Sequence, residues 1–168
     1  MTEYRRILCP VDASECSRLA LVTALSLGRR FGSTVELLHV YHVPAYVQPS
    51  VLVWAAVGPR PLWELAEEQA KTEVERFLAS LSAEDRALVE VSLEVGDAAT
   101  TIVERARQKH ADLVVMGTHG RTGARRVVLG SVAERVVRLA PCPVLVVPMA
   151  EHASGAEESP VGSKGASR

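Results

Sequence analysis

Between Gly117 and Ser131 the chain reads Gly-Thr-His-Gly-Arg-Thr-Gly-Ala-Arg-Arg-Val-Val-Leu-Gly-Ser, and these are the residue types that can hold an anion. Gly117, Gly120 and Gly123 let backbone N–H groups approach a negatively charged group closely, and Gly130-Ser131 opens a helical pattern whose N-terminus favours phosphate. Arg121, Arg125 and Arg126 add positive charge. Each exposed helix-end contact supplies only about 0.3–1 kcal/mol, so useful affinity needs several N–H groups, a hydroxyl and a buried apolar group acting together. The same residues also fit a plain turn at Gly117 and Gly120 followed by a capping box of Ser131 with Glu134. The two readings are compatible. The segment lacks the Gly-Lys-Ser/Thr end of a P-loop, and the first strand runs into Asp12 rather than a Gly-x-Gly turn, which disfavours ordinary ATPase and dinucleotide sites.

Other chemistry-bearing residues are sparse. Asp12, in Asp12-Ala-Ser-Glu15, either caps the first helix or faces a ligand at the end of the first strand. His39 and His42, three apart in a strand-like segment, fall on opposite faces and are expected to be structural, not metal ligands. Cys9, Cys16 and Cys142 have no Cys-x-x-Cys spacing, so neither a disulfide framework nor a zinc knuckle is expected, and a reducing cytoplasm fits. His119 is the one side chain near the glycine segment suited to proton transfer at neutral pH, and no base, nucleophile and metal carboxylates cluster there. No catalytic residue is assigned, and an enzyme, at most a slow ATP hydrolase or a phosphoryl or adenylyl transferase, is the secondary reading.

These residues must be positioned by a fold. The 168 residues suit one domain, 48% hydrophobic and 23% charged, and a chain of this size removes roughly 70% of its unfolded surface from water. A net charge of −1 creates no global field for nucleic acid or an anionic membrane, so an anion site must be local. The opening residues lack a signal-peptide pattern, and no apolar run approaches the ~20 residues of a membrane span.

Ile7 to Val11 reads as a strand, Ser17 to Phe31 as an amphipathic helix stopped by Gly32, and Thr34 to Tyr41 as a doubly covered strand. His42 to Pro61, rich in proline and glycine, is expected to be a long ordered loop, and its patch Val51 to Trp54 could be core, lid or partner surface. Leu62 to Leu81 has helical spacing, and Val89 to Val95 alternates as an edge strand whose wetter face carries Glu90, Ser92 and Glu94. Thr100 to Lys109 and Ser131 to Leu139 are further helices, and Asp112 to Gly117 and Val144 to Val147 further strands. Strict alternation of strand and helix predicts one doubly wound α/β domain with a five-stranded parallel sheet. Residues 149 to 168, rich in Ser, Gly, Ala and Glu, are expected to be a disordered tail after a domain of residues 1 to 148. A short final strand would leave an unpaired edge in a monomer.

Gly117, two residues, Gly120, nine residues, Gly130, Ser131 resembles the ATP-binding signature of universal stress proteins at every fixed position. Ile7-Leu-Cys-Pro-Val-Asp12-Ala-Ser-Glu and Ala140-Pro-Cys-Pro-Val-Leu-Val-Val147 are similar to the two ends of that family's domain, in the same order. The resemblance implies a Rossmann-like sheet of strand order 3-2-1-4-5 with the ligand between strands one and four, the topological switch point. It implies that Asp12 binds ribose, that the Val40 backbone meets adenine, and that Gly117, Gly120, Gly130, Ser131 and Val132 hold the phosphates, with Met116 and His119 lining the pocket. The cofactor so implied is ATP, with AMP or ADP as variants and Mg2+ carried on the phosphates. It further implies a cytoplasmic stress-response binding module read by a regulatory protein partner, and a homodimer through Val144–Val147. A nucleotide-free structural dimer is the third reading.

Overall fold

Strand β1 (Arg6–Val11) is apolar after Arg6 because both its faces are covered, and everything else is arranged around it. The computed structural model describes residues 4–43, 51–55, 58–118 and 129–149. After β1 come helix α1 (Glu15–Phe31), β2 (Thr34–Tyr41), β3 (Leu52–Ala55), β4 (Gly58–Pro61) and helix α2 (Leu62–Leu78). The chain continues through α3 (Ala83–Ala87), β5 (Val89–Val95), α4 (Ala98–Gln108), β6 (Leu113–Gly117), α5 (Ser131–Leu139) and β7 (Val144–Val147). Gly32 ends α1 as expected: its φ of 67° is left-handed, and its N–H returns to the Gly28 carbonyl.

Five strands form one parallel sheet in the order β5-β2-β1-β6-β7, which is 3-2-1-4-5 when only sheet strands are counted. Ile7, Cys9, Val11, Val35, Leu37 and Val115 face α1 and α2, while Leu8, Leu38, Val114 and Met116 face α4 and α5. The result is an α/β three-layer domain with a core on each side of the sheet.

The sheet is not paired evenly. From Arg6↔Thr34 to Val11↔His39 β1 matches β2 along its whole length, but it meets β6 only at Ile7↔Leu113 and Leu8↔Val114. Pro10 explains the early end. Arg5 presents its carbonyl to Thr34 on the β2 side (2.9 Å), and Arg6 presents its own to Asp112 on the β6 side (2.9 Å). With this alternation Leu8 and Pro10 also point toward β6, so the next ladder bond would need a donor that proline lacks. β1 and β6 therefore stop pairing near their carboxyl ends, at the point where the strand order reverses.

Several expectations change. The expected loop between His42 and Pro61 contains an antiparallel pair, β3 with β4, and Trp54 on it is 83% exposed, so it is not core. The α2 helix stops at Leu78 rather than Leu81, and the short α3, with its Ser82 cap, had no periodic signal to reveal it. On edge strand β5 the polar side is wet only at Glu90: Ser92 and Glu94 are half-buried, while on the apolar side Val91 and Val95 are exposed and Val89 and Leu93 half-buried. Arg105 of α4 is the cause. Its guanidinium reaches Glu36 of β2 (2.6 Å), Glu94 (3.1 Å) and Ser92 (2.8 Å), and so covers the polar face of β5 with α4. The expected tail from Ala150 onward lies outside the described residues.

Candidate functional site

Where β1 and β6 part, a cavity of about 270 Å³ opens on the α4 and α5 side of the sheet. The first strand brings Asp12 to its rim, β2 contributes Val40, β6 contributes Met116 and Gly117, and the start of α5 contributes Gly130, Ser131 and Val132. Seven of the expected site residues thus share one cavity. His119 and Gly120, with Arg121, Arg125 and Arg126, lie outside the described residues.

Local structure at the end of β1 corrects the capping expectation for Asp12. Helix α1 is capped by Ser14, whose hydroxyl accepts from the Ser17 N–H (3.2 Å). Asp12 braces that cap, its Oδ1 accepting from the Ser14 N–H (3.1 Å) and hydroxyl (2.6 Å). Glu15 is the first helical residue and pairs with Arg18, so no capping box closes. Between them Ala13 sits at φ 62°, a conformation that is unfavourable for a residue with a Cβ.

At α5 the capping-box expectation also fails. Gly130, not Ser131, occupies the N-cap position, with φ −63° and ψ 151°, and Glu134 is held through its backbone N–H to the Gly130 carbonyl (2.9 Å). A glycine cap has no side chain to accept from the first-turn N–H groups of Ser131, Val132 and Ala133. The helix therefore presents its positive end, roughly half a unit charge, to the cavity. The Gly130 N–H donates to the Thr118 carbonyl (2.8 Å) and the Thr118 N–H to the Val147 carbonyl (3.1 Å), which anchors the start of α5 on the ends of β6 and β7. Asp97, the cap of α4, accepts from Arg135 of α5 (3.0 Å) and so fixes the two helices that wall the cavity. Hydrogen bonds from the Thr100 hydroxyl and N–H, with Arg135 nearby, hold the Asp97 carboxyl below the usual carboxylate range.

Gly117 has a different reason to be glycine from the expected one. A Cβ there would lie 2.7 Å from Cys16 Sγ and 3.1 Å from the Cys16 carbonyl carbon, so it would collide with α1 rather than project toward a phosphate. The glycine lets the first turn of α1 pack directly on β6. Cys16 Sγ is buried there, 3.5 Å from the Thr118 hydroxyl and from the Val147 carbonyl. Burial pushes the Cys9 thiol up to about 12, so it is no nucleophile near neutral pH.

Sequence reasoning missed Pro10, Val11, Leu38, Ala98, Ile102, Thr118 and Ala133, which also line the cavity. Period arguments could have found some of them: Leu38 is two residues before Val40 on the same strand face, and Ile102 is four after Ala98 on one helix face.

The comparisons with known proteins agree with this geometry. The sequence model described as the universal stress protein family matches residues 3–148. The chain belongs to the universal stress protein family. A universal stress protein of Methanocaldococcus jannaschii is 37% identical over 147 residues, covering 86% of this chain and 82% of that one. One from Synechocystis is 33% identical, covering 86% of this chain and 97% of the relative. Among solved structures, a universal stress protein from Lactobacillus plantarum superposes with a TM-score of 0.66 at 27% identity, covering 88% of this chain and 99% of that chain. A universal stress protein solved in complex with cAMP shares the fold at 20% identity, TM-score 0.54, over 86% of this chain and 97% of that one. Among the described residues of this universal stress protein no helix is long and apolar enough to cross a membrane, and no three His, Cys, Asp or Glu side chains are placed to hold a metal ion.

Proposed function

We propose that this universal stress protein is a cytoplasmic regulatory module that binds ATP or a related adenine nucleotide in the cavity between β1 and β6. One observation carries the proposal: the cavity joins an apolar wall, a carboxylate and a helix N-terminus whose cap residue is glycine, at the switch point of an open α/β sheet. Each part suits a different part of the ligand. Leu38, Val40, Ile102 and Met116 offer adenine a nonpolar surface, with the Val40 backbone as its hydrogen-bonding edge. Asp12 accepts from ribose hydroxyls. Ser131, Val132 and the glycine-loop residues Gly117 and Gly120 present N–H groups to the phosphates, Gly130 leaves them room at the start of α5 while its own N–H is held by Thr118, and His119 stands beside them, with Mg2+ carried on the phosphate oxygens when bound. In this scheme the Gly117 N–H contributes through the backbone, and its missing side chain serves α1.

The proposed output is recognition by a regulatory protein, with the chain working as a homodimer through edge strand β7, whose Leu145 is 39% exposed. Calorimetry with ATP, AMP and adenosine tests the site, and cAMP, the ligand of one fold neighbour, belongs in the same series. Asp12→Ala weakens all of them. Gly130→Val, at a φ that any residue adopts, weakens ATP far more than adenosine, because it intrudes where the phosphates meet α5. If a folded Gly130→Val protein bound ATP as tightly as the parent, the glycine segment would be only a turn and the proposal would fail.

A further inference from the structure

On the opposite face of the sheet, between the end of β2 and helix α2, lies a second cavity of about 400 Å³. Asp12 and Val40 border it as they border the first, so the two cavities meet over the carboxyl ends of β1 and β2. The residues at that junction are the ones assigned above to ribose and adenine. With the phosphates directed to α5, the ribose hydroxyls stand where the second cavity begins.

The second cavity is built differently from the first. Ala66 and Ala70 of α2 give it a small apolar floor, and beside them stand Gln69 and Glu73, joined by a hydrogen bond from Gln69 Nε2 to Glu73 Oε1 (3.2 Å). His39 is buried at its border, with Nδ1 2.9 Å from the Val11 carbonyl, a contact between the ends of β2 and β1. His42 borders it too, so the two histidines expected on opposite faces meet one cavity, because His42 follows the end of β2 and leaves the strand alternation. Asp12 and Glu73 bring two carboxylates, and no lysine or arginine borders the cavity among the described residues. An anionic group would be repelled there, whereas a neutral group with an apolar body and a polar edge suits the lining.

We propose that the nucleotide site continues over the strand ends into this cavity and takes an adenine nucleotide whose ribose carries a neutral acyl group on its 2′ or 3′ oxygen. The inference rests on the nucleotide reading of the first cavity. The acyl body lies on Ala66 and Ala70, and Gln69 has a second amide hydrogen to offer its carbonyl. The ribose hydroxyl that remains free still donates to Asp12. Apolar surface buried on α2 offsets the hydrogen bond lost at the acylated oxygen. A 3′-phosphate in the same place would face Asp12 and Glu73 and be rejected.

The test uses the full chain with ATP, ATP carrying a fluorescent N-methylanthraniloyl ester on its ribose, and ATP carrying a 3′-phosphate. The ester is expected to bind within about threefold of ATP or more tightly, its fluorescence rising on burial and falling back with excess ATP. The 3′-phosphate is expected to weaken binding about tenfold or more. Ala66→Phe, which fills the second cavity and not the first, should weaken the ester about tenfold or more and leave ATP within about twofold. An ester weaker than that limit, an ester that excess ATP does not displace, a smaller loss with the 3′-phosphate, or a folded Ala66→Phe protein with unchanged preference would each overturn the proposal. The parent protein alone decides on the ester and the 3′-phosphate, so the test stands even if the variant does not fold. Calorimetry with ATP separates the two readings: no ATP binding removes the nucleotide reading and this one with it, while ATP binding with the ester excluded removes this one alone.

Discussion

The two halves of the sheet on either side of β1 are built from similar apolar sequence and behave differently. Toward β2 and β5 the ladders are continuous, from Arg6↔Thr34 to Val11↔His39 and from Val35↔Val89 to Tyr41↔Val95, and the Arg105 guanidinium ties β2, β5 and α4 together. Toward β6 and β7 the β1 ladder ends after Leu8↔Val114, and the space it leaves is bordered by a helix whose cap residue is glycine. The closed half is a place to keep stability, and the open half a place to put a ligand. A single missing N–H, at Pro10, marks the boundary between them.

Removing the clamp of the closed half has the largest expected effect. Arg105→Met leaves the Glu36 carboxylate buried without its cationic partner, which should cost about 3 kcal/mol or more in urea unfolding. A loss below about 1 kcal/mol would mean that water reaches Glu36 and that the two halves are less different than described. Next comes Gly117→Val, which forces a Cβ against Cys16 and should cost about 2 kcal/mol by overpacking, read as a lower melting temperature. An unchanged melting temperature with lost ATP binding would instead restore the role in phosphate approach for which the sequence argued.

Pro10→Val tests the boundary itself. If the absent donor ends the β1–β6 ladder, the new amide at position 10 should pair with β6 and be protected from hydrogen exchange; fast exchange there would place the cause elsewhere, in the close packing of α1 on β6. The smallest effect concerns the wall between α4 and α5. Asp97→Ala removes an exposed cap and should cost about 0.5–1 kcal/mol at neutral pH. Because the folded carboxyl is held below its ordinary value, that contribution is present above the ordinary carboxyl pKa near 4 and is lost as pH falls through the lower folded value. The parent and variant melting curves should therefore converge in acid, and a constant gap would contradict the assignment.

Much of the fold was legible because its signals are local. β2 and β7 were bounded correctly by near-continuous apolar runs between turn residues, and α1 at its end by Gly32, though it starts at Glu15 rather than Ser17. The hairpin of β3 and β4 was not, since Pro59 and Pro61 argue against a strand and the pair is antiparallel at the domain's surface, where burial leaves no pattern. On β5, Glu90 is exposed as its spacing predicted, but Ser92 and Glu94 are half-buried because nothing in their spacing reveals an arginine arriving from α4. Of the expected site residues, Gly117, Gly130, Asp12 and Val40 were brought to one cavity, while local details of their packing were not legible. Ser131 and Glu134 match a capping box by type, yet the helix begins one residue earlier than a box requires, and Gly117 answers to Cys16, a contact across 101 positions of sequence that no local rule contains.

The most direct measurement of whether the open half is the ligand site is a backbone amide spectrum of the 15N-labelled protein titrated with ATP. The predicted result is saturable shifts at Gly130, Ser131, Val132 and Ala133 together with Val40 and Asp12, with residues of β5 and of the outer face of α2 unmoved. Saturation elsewhere with the first turn of α5 silent, or no saturable shift at all, would contradict it.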